Sequence, residues 1–277
     1  MPTWNPNQYL KFAEERARPC RELAARIGLP SVRRVIDVGC GPGNSTEVLA
    51  DRWPDAEITG LDNSTEMISV AREAQPARRW VIREIADWAS SAKSDEKDGK
   101  FDVVFSNAAL QWLPDHSTLY PKLLERVAPG GAFAAQIPAD FDAPAHLIMR
   151  DIAKLPAWRD RFPAGRLREW QAHDGEFYYD VLAPLASRVD IWKTEYLHVM
   201  PDAESLVEFY KGSGMRPFLD LLATDADGMQ FTGEYLERIR IAYPRRPDGR
   251  VLFPMLRLFV IAYRGASSED SAQSGAK

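Results

Sequence analysis

The sequence predicts an α/β protein, an open parallel sheet of seven strands wound with helices and carrying helical insertions. Three observations predict it. A β-branched run, Val35, Ile36 and Val38, feeds directly into glycines at 39, 41 and 43, with Asn44 behind them to open a helix. Further apolar runs of strand length follow, each succeeded by residues at helical spacing. Turn-forming residues stand at most of the junctions: Asn63-Ser64, Pro114-Asp115 and Pro129-Gly130-Gly131.

In chain order, residues 5–28 carry Tyr9, Leu10, Phe12, Leu23, Ala24 and Ile27 at amphipathic spacing and end at Gly28, with Pro19 expected to interrupt the helix. The first strand and its glycine turn occupy 33–44. The second strand, 56–62, ends in Asp62, and Asn63-Ser64 cap a helix containing Met67, Ile68, Val70 and Ala71. The third is expected over 80–85, followed by Asp87 and Trp88. Residues 90–100 are polar and charged and read as an exposed loop. The fourth strand, 101–107, precedes Ala108-Ala109-Leu110-Gln111-Trp112-Leu113-Pro114-Asp115-His116. A helix over 118–127 leads to a fifth strand over 132–138. A helix over 175–187, an edge-region strand over 189–199 and a closing strand over 256–263 complete the sheet.

This spacing divides the chain into an N-terminal helical cover (1–29), a core (30–140), an insertion (141–173), a return to the core (174–200), a helical insertion (201–250), the last strand (251–264) and a Ser/Gly/Ala-rich tail (265–277) expected to be disordered.

The glycine turn is a nucleotide-type corner, because a strand end, a flexible turn and a helix N-terminus leave backbone exposed to a ligand. It is not a dinucleotide fingerprint: Gly39 and Gly41 fit, but Asn44 stands where the third glycine belongs. Asp37, at the strand end, would repel a pyrophosphate and attract a cation. Asp62 can accept from both hydroxyls of a ribose, and Asp87 from an adenine amino group, with Met67 and Trp88 as ring covers.

Thirty-five Lys and Arg against 40 Asp and Glu give a formal charge of −5, which argues against a broad nucleic-acid surface. Within that acidic chain, residues 150–168 hold six basic residues, Arg150, Lys154, Arg159, Arg161, Arg166 and Arg168, against Asp151 and Asp160. Such a run reads either as a solvated basic face or as an anion-binding lid. Two cysteines, Cys20 and Cys40, suggest no disulfide framework, and neither a bilayer-spanning run nor a signal peptide is visible. The expectation is a cytoplasmic protein with a small-molecule substrate, no metal, no nucleic acid, no membrane and no obligate protein partner.

The pattern Asp37-x-Gly39-x-Gly41-x-Gly43 resembles motif I of the class I S-adenosylmethionine-dependent methyltransferases, whose sheet is Rossmann-like. Longer stretches are similar to the trans-aconitate 2-methyltransferase family: Trp4-Asn5-Pro6 with Tyr9, Phe12, Arg16 and Pro19; 37–46; 110–116; Met149-Arg150; Tyr178-Tyr179-Asp180; Asp190-Ile191-Trp192; and Arg257-Leu258-Phe259. The resemblance covers nearly the whole chain apart from the tail. The loop at 90–100 is longer than the family pattern leads one to expect.

The resemblance implies transfer of a methyl group from S-adenosylmethionine to a carboxylate of trans-aconitate, leaving a monomethyl ester and S-adenosylhomocysteine. A carboxylate is ionised at neutral pH, so no general acid or base is expected. Cofactor contacts are expected from Tyr9, Arg16, Asp37, Gly39, Cys40, Gly41, Asn44, Asp62, Asn63, Met67, Asp87, Trp88, Asn107, Ala108 and Gln111. Substrate contacts are expected from Trp112, His116, Gln136, His146, Arg150, Tyr179, Tyr196 and Arg257, with Arg150 and Arg257 as clamps on the carboxylates not esterified. The competing readings are a methyltransferase acting on another small molecule and a non-catalytic module that binds S-adenosylmethionine. An amine acceptor would favour carboxylates and aromatics over a basic excess, and turnover separates an enzyme from a module.

Overall fold

The computed structural model describes residues 13–91, 100–167 and 170–265. Its strands are β1 (Arg34–Val38), β2 (Glu57–Asp62), β3 (Arg79–Ile82), β4 (Phe101–Asn107), β5 (Val127–Pro138), β6 (Arg188–Met200) and β7 (Val251–Tyr263). They form one seven-stranded sheet in the order β3-β2-β1-β4-β5-β7-β6, which puts β6 at an edge as its sequence alternation predicts. β1 pairs in parallel with β2 and β4, as do β2 with β3 and β4 with β5.

The sheet is mixed rather than wholly parallel. Gly130 N–H donates to Arg264 C=O at 3.1 Å, and Ala139 N–H to Leu256 C=O at 2.9 Å, so β7 runs antiparallel to β5.

The helices are α1 (Ala13–Arg26), α2 (Asn44–Arg52), α3 (Thr65–Ala74), α4 (Ile85–Ser90), α5 (His116–Glu125), α6 (Pro144–Lys154), α7 (Gly175–Leu182), α8 (Ala203–Lys211), α9 (Arg216–Leu219) and α10 (Asp225–Ala242). None among the described residues is long and apolar enough to cross a membrane.

Several boundaries differ from the sequence expectation. Pro19 lies inside an unbroken α1. Gly43, left-handed at φ 95°, is the N-cap of α2, and Asn44 is its first residue, with no side-chain cap. β3 stops at Ile82 because Ile85 turns inward as the start of α4. β5 starts at Val127 and β7 at Val251, both earlier than periodicity suggests, because the Pro-Gly-Gly segment and Pro254 are carried within strands. α7 is shorter than expected and ends at Leu182. Most of the loop at 90–100, the tail and Tyr9 lie outside the described residues.

The chain divides into two compact units. Among the described residues, the sheet unit comprises 16–91, 100–137, 171–193 and 258–265. Its strands are buried on both faces by Val35, Ile36, Val38, Val103, Val104, Phe105, Phe133 and Ile261, all at most 2% exposed.

Among the described residues, the helical unit comprises 13–15, 138–167, 170 and 194–257. Its core joins Met149 and Ile152 of α6 to Leu206 and Phe209 of α8, and to Phe231, Tyr235 and Ile239 of α10. Two hydroxyls fasten the first turn of α6: Tyr243 accepts from Ala145 N–H at 3.2 Å, and Tyr235 donates to Ala145 C=O at 3.1 Å. That turn carries His146.

Candidate functional site: a glycine corner and a buried cationic cluster

The glycine corner lies in the sheet unit. Asp37 is fully buried at the end of β1, and one of its oxygens accepts from Ser45 Oγ at 2.6 Å and Thr46 Oγ1 at 2.7 Å. Burial pushes its pKa up to about 6, against the pull of those two hydroxyls and with a smaller push from Asp62. The other oxygen accepts no hydrogen bond among the described residues. Asp37 therefore braces the first turn of α2 and keeps one buried acceptor in reserve.

Gly39, at φ 77°, is required by contact: a Cβ there would sit 2.2 Å from the Cβ of Ala109. Gly41, at φ 53°, is different, since a Cβ there would meet nothing within 4 Å. That opening is backbone which a ligand can approach closely. Asp62 frames it. One carboxylate oxygen accepts from Gly41 N–H at 2.9 Å and the other from Ser64 N–H at 2.9 Å. Each oxygen keeps a further acceptor site. Burial raises the Asp62 pKa against these hydrogen bonds.

Around the corner, Asn63 is exposed and donates to Glu84 at 2.9 Å, Met67 is buried at 4% exposure, and Asp87 is exposed on α4. Cys40 is buried against Ile68, Ala71 and Trp80, and its Sγ donates to Gly41 C=O at 3.6 Å. Trp88 differs from its expected role as a ring cover. It is 1% exposed, packed at 6.1 Å on Phe101 and under the Arg126 guanidinium at 4.6 Å. One residue further along a helix turns a side chain by about 100°, which takes Trp88 into the core and leaves Asp87 outside. The side chain of Arg16, like Tyr9, is outside the described set.

After β4, Ala108 adopts φ 53° and donates to Gln136 C=O at 2.9 Å, while Gln111 Nε2 donates to Ala108 C=O at 2.7 Å. Asn107 is the register partner of Gln136. Asn107 Oδ1, Gln111 Oε1 and Gln136 Nε2 are buried without hydrogen-bond partners among the described residues. These three buried polar atoms lie next to a residue of strained, positive-φ backbone. Trp112 is half-buried just beyond them.

His116 engages both of its ring nitrogens within the protein. It is 1% exposed, its Nε2 lies 3.0 Å from Leu110 C=O, and its Nδ1 lies 2.8 Å from Tyr178 OH. A carbonyl only accepts, so Nε2 carries the proton and Nδ1 accepts from the tyrosine. Both nitrogens are used internally, and burial lowers the ring pKa. Tyr179 is 54% exposed on α7, in an open groove with Glu176, Asp180 and Lys193. Neighbouring helical positions send Tyr178 inward and Tyr179 outward.

The helical unit holds the second cluster. His146 and Arg150 lie one turn apart on α6. The Ala139–Leu256 backbone bond brings the next residue of each segment, Asp140 and Arg257, into electrostatic range. Asp140, His146 and Arg257 are 8%, 4% and 7% exposed. Aromatics box His146 in: Trp170 at 4.9 Å, Tyr210 at 5.1 Å and Phe141 at 5.3 Å, with Phe141 stacked on Trp170. Arg150 donates to Phe141 C=O. Burial and the two arginines hold the His146 pKa down at about 3, so its ring is neutral and its 4.0 Å approach to Asp140 is no ion pair. Tyr196 is also buried in this unit, beside His198.

Asp140, Tyr210, Phe141 and Trp170 were not among the expected site residues. Spacing carried no signal for Asp140 or Tyr210, which join the cluster only through strand pairing and the packing of α8.

The rest of the basic run is a solvated face. Lys154 pairs with Asp151 at 3.9 Å, Arg159 with Asp160 at 3.6 Å and Arg161 with Asp227 at 3.2 Å, and all three basic residues are exposed. Of its described members, Arg150 is the one in the cluster.

Residues 35–131 match the family model described as a methyltransferase domain. A trans-aconitate 2-methyltransferase of Azoarcus sp. (strain BH72) is 44% identical over 264 residues, 95% of this chain and 100% of that protein. The protein of the same name from Variovorax paradoxus (strain S110) is 44% identical over 95% of this chain and 99% of its own length. This chain belongs to the trans-aconitate 2-methyltransferase family. Its fold is that of the class I methyltransferases. A solved coclaurine N-methyltransferase, bound to N-methylheliamine and S-adenosylhomocysteine, superposes with a TM-score of 0.54 at 14% identity over 95% of this chain and 82% of its own.

Proposed function

We propose that the chain methylates a carboxylate of trans-aconitate with S-adenosylmethionine, releasing the monomethyl ester and S-adenosylhomocysteine. The observation that carries this reading is the 44% identity, over 95% of the chain, to proteins named trans-aconitate 2-methyltransferase. The buried Arg257 and Arg150 beside a neutral His146 support it, since planar guanidinium forks suit carboxylates.

S-adenosylmethionine, when bound, supplies an electrophilic methyl group on a sulfonium. The opening at Gly41, the spare acceptor sites of Asp62 and the buried free oxygen of Asp37 fit a ligand with a ribose diol and positive charge but no phosphate. Asp62 takes the diol, and the backbone of Gly39, Cys40 and Gly41 lines the approach. Asn63, Met67 and Asp87 flank the base, with Asn44, Asn107, Ala108 and Gln111 nearer the reacting end. Trp112, Gln136 and Tyr196 are proposed as acceptor contacts on the family pattern alone. No residue needs to remove a proton, because the acceptor oxygen is already anionic. The protein's work is alignment and removal of water from that oxygen. The buried, unbridged cysteines suit a reducing cytoplasm.

The test is mass spectrometry of products from methyl-labelled cofactor and a panel of tricarboxylates, dicarboxylates and amines. The expected product is trans-aconitate plus one methyl group. Labelling of amines alone would refute the reading.

A further inference from the structure

β6 is an open edge of the sheet: β7 pairs with it on one side, and no described strand pairs with it on the other. It is long, 13 residues from Arg188 to Met200, and holds no proline to block a further ladder. From Glu195 onward its side chains alternate strictly. Tyr196, His198 and Met200 are buried, while Glu195, Leu197 and Val199 are exposed. Leu197 is 56% exposed and Val199 54%, so the outward face carries apolar surface at a free edge. An edge of this kind is a template for another strand.

The sequence of β6 selects that strand. Laid antiparallel against itself about Thr194, it matches itself position by position. Lys193 falls opposite Glu195, Ile191 opposite Leu197 and Val189 opposite Val199, each twice. Thr194 falls opposite Thr194, a favoured cross-strand pair. We infer that β6 is the surface through which two copies of this chain form a two-fold dimer, its strands antiparallel and centred on Thr194, so that two seven-stranded sheets become one.

Three physical points support this occupant and this register. The first is charge. Lys193 and Glu195 are both exposed, and opposite charges directly across a strand pair attract while like charges repel. Moving the dyad by one residue sets Lys193 against Lys193, or Glu195 against Glu195, and takes Ile191 away from Leu197. Only the dyad at Thr194, of these three, matches charge and apolar surface together. The second is the backbone. A strand paired with itself about one residue joins residues whose numbers differ by an even amount. The set of N–H and C=O groups that faces the open edge in one copy therefore meets the same set in the other. The third is room. A groove of about 720 Å³ lies beside Val189 and Ile191 and is lined also by Tyr179, Asp180 and Leu258. Val199 and Leu197 of the second copy fall next to it and remove their apolar surface from water.

The experiment measures association by sedimentation velocity over micromolar concentrations for wild type, Lys193→Glu, Glu195→Lys and the double exchange. Wild type should be a dimer in equilibrium with monomer. Each single exchange puts like charges opposite one another at two symmetric positions, and the dissociation constant should rise by about tenfold or more. The double exchange restores opposite charges and should bring the constant back to within about threefold of wild type. Cross-linking locates the dyad. Directly opposed residues of an antiparallel pair lie about 4.5–5.5 Å apart at Cα, within disulfide reach. Thr194→Cys should therefore form an intermolecular disulfide under mild oxidation, whereas Val199→Cys, distant from its own counterpart, should not. Native Cys20 and Cys40 are buried and stay out of the reaction. A wild type that is monomeric throughout would leave the edge to a different protein and overturns the inference. A dimer indifferent to both single exchanges, or a double exchange as weak as the singles, also overturns it. So does failure of Thr194→Cys to cross-link, or equal cross-linking by Val199→Cys. If a charge variant does not fold, the wild-type sedimentation and the two cysteine variants decide.

Discussion

Asp62 accepts the backbone N–H of Gly41 at 2.9 Å, which ties the end of β2 to the point of the glycine turn that has nothing within 4 Å of a notional Cβ. One carboxylate therefore both shapes the opening and offers acceptors to whatever enters it. Asp62→Ala removes these acceptors and leaves Gly41 N–H without its side-chain partner. S-adenosylmethionine affinity should fall by about 1–3 kcal/mol, the range for lost hydrogen bonds to a charged group. Calorimetry on the folded variant checks it, and unchanged affinity would exclude Asp62 from the cofactor site.

Asp37 predicts an acid-side gain in stability. Its folded pKa is raised to about 6 from a reference of 3.8. The folded state thus holds the proton more tightly than the unfolded state. Its contribution is fully present below the unfolded pKa and is lost as pH rises through about 6. From pH 7 to pH 4 the stability of wild type relative to Asp37→Asn should improve by up to about 3 kcal/mol. Urea denaturation of both proteins at pH 7, 5.5 and 4 measures that difference, and a flat or reversed trend would contradict the buried geometry.

Much of the sheet was legible because its cause is local. Val35-Ile36-Asp37-Val38 must be a strand, and Gly39 to Gly43 must be a turn, whatever surrounds them. The edge position of β6 was legible in its alternation. The antiparallel β7 was not, because direction is set by the long helical connection between β6 and β7 and by no residue within the strand. The site divides similarly. Arg150 and Arg257 could be named from residue type and family pattern, but Asp140 could not, since its membership depends on the pairing of Ala139 with Leu256. The burial of His116 and Trp88 was not legible, because exposure at a given helical position is decided by what the helix packs against. The basic run at 150–168 looked like one feature and is mostly a row of exposed ion pairs, which contribute little.

His116 should matter to stability and not to substrate. With Nδ1 on Tyr178 and Nε2 on Leu110, His116→Ala leaves a buried tyrosine hydroxyl short of its donor–acceptor network and opens a cavity. Unfolding free energy should drop by roughly 2–4 kcal/mol. KM for trans-aconitate should stay within about twofold at a temperature where the variant remains folded. A large rise in KM with little loss of stability would return His116 to the substrate site.

Arg150 and Arg257 should separate from the rest of the basic run in one kinetic experiment. Each is drawn into the cluster around His146, whose depressed pKa reports both of their charges. In the proposed clamp, replacing either with glutamine leaves a substrate carboxylate without its cation. Breaking a buried charge pair in this way costs about 3–5 kcal/mol. That is enough to lower kcat/KM for trans-aconitate by roughly two decades or more. Lysine should rescue only in part, since an ammonium cannot hold a carboxylate through a planar fork. Cofactor affinity should barely move, because the glycine corner keeps its own residues. Lys154→Gln and Arg159→Gln are the controls: their partners are exposed carboxylates, and kcat/KM should stay within about twofold. Steady-state kinetics with calorimetry of cofactor binding covers all four variants. Equal losses in the controls would mean that the basic face attracts substrate from a distance, and near-normal kcat/KM in both arginine variants would move the clamp to other residues.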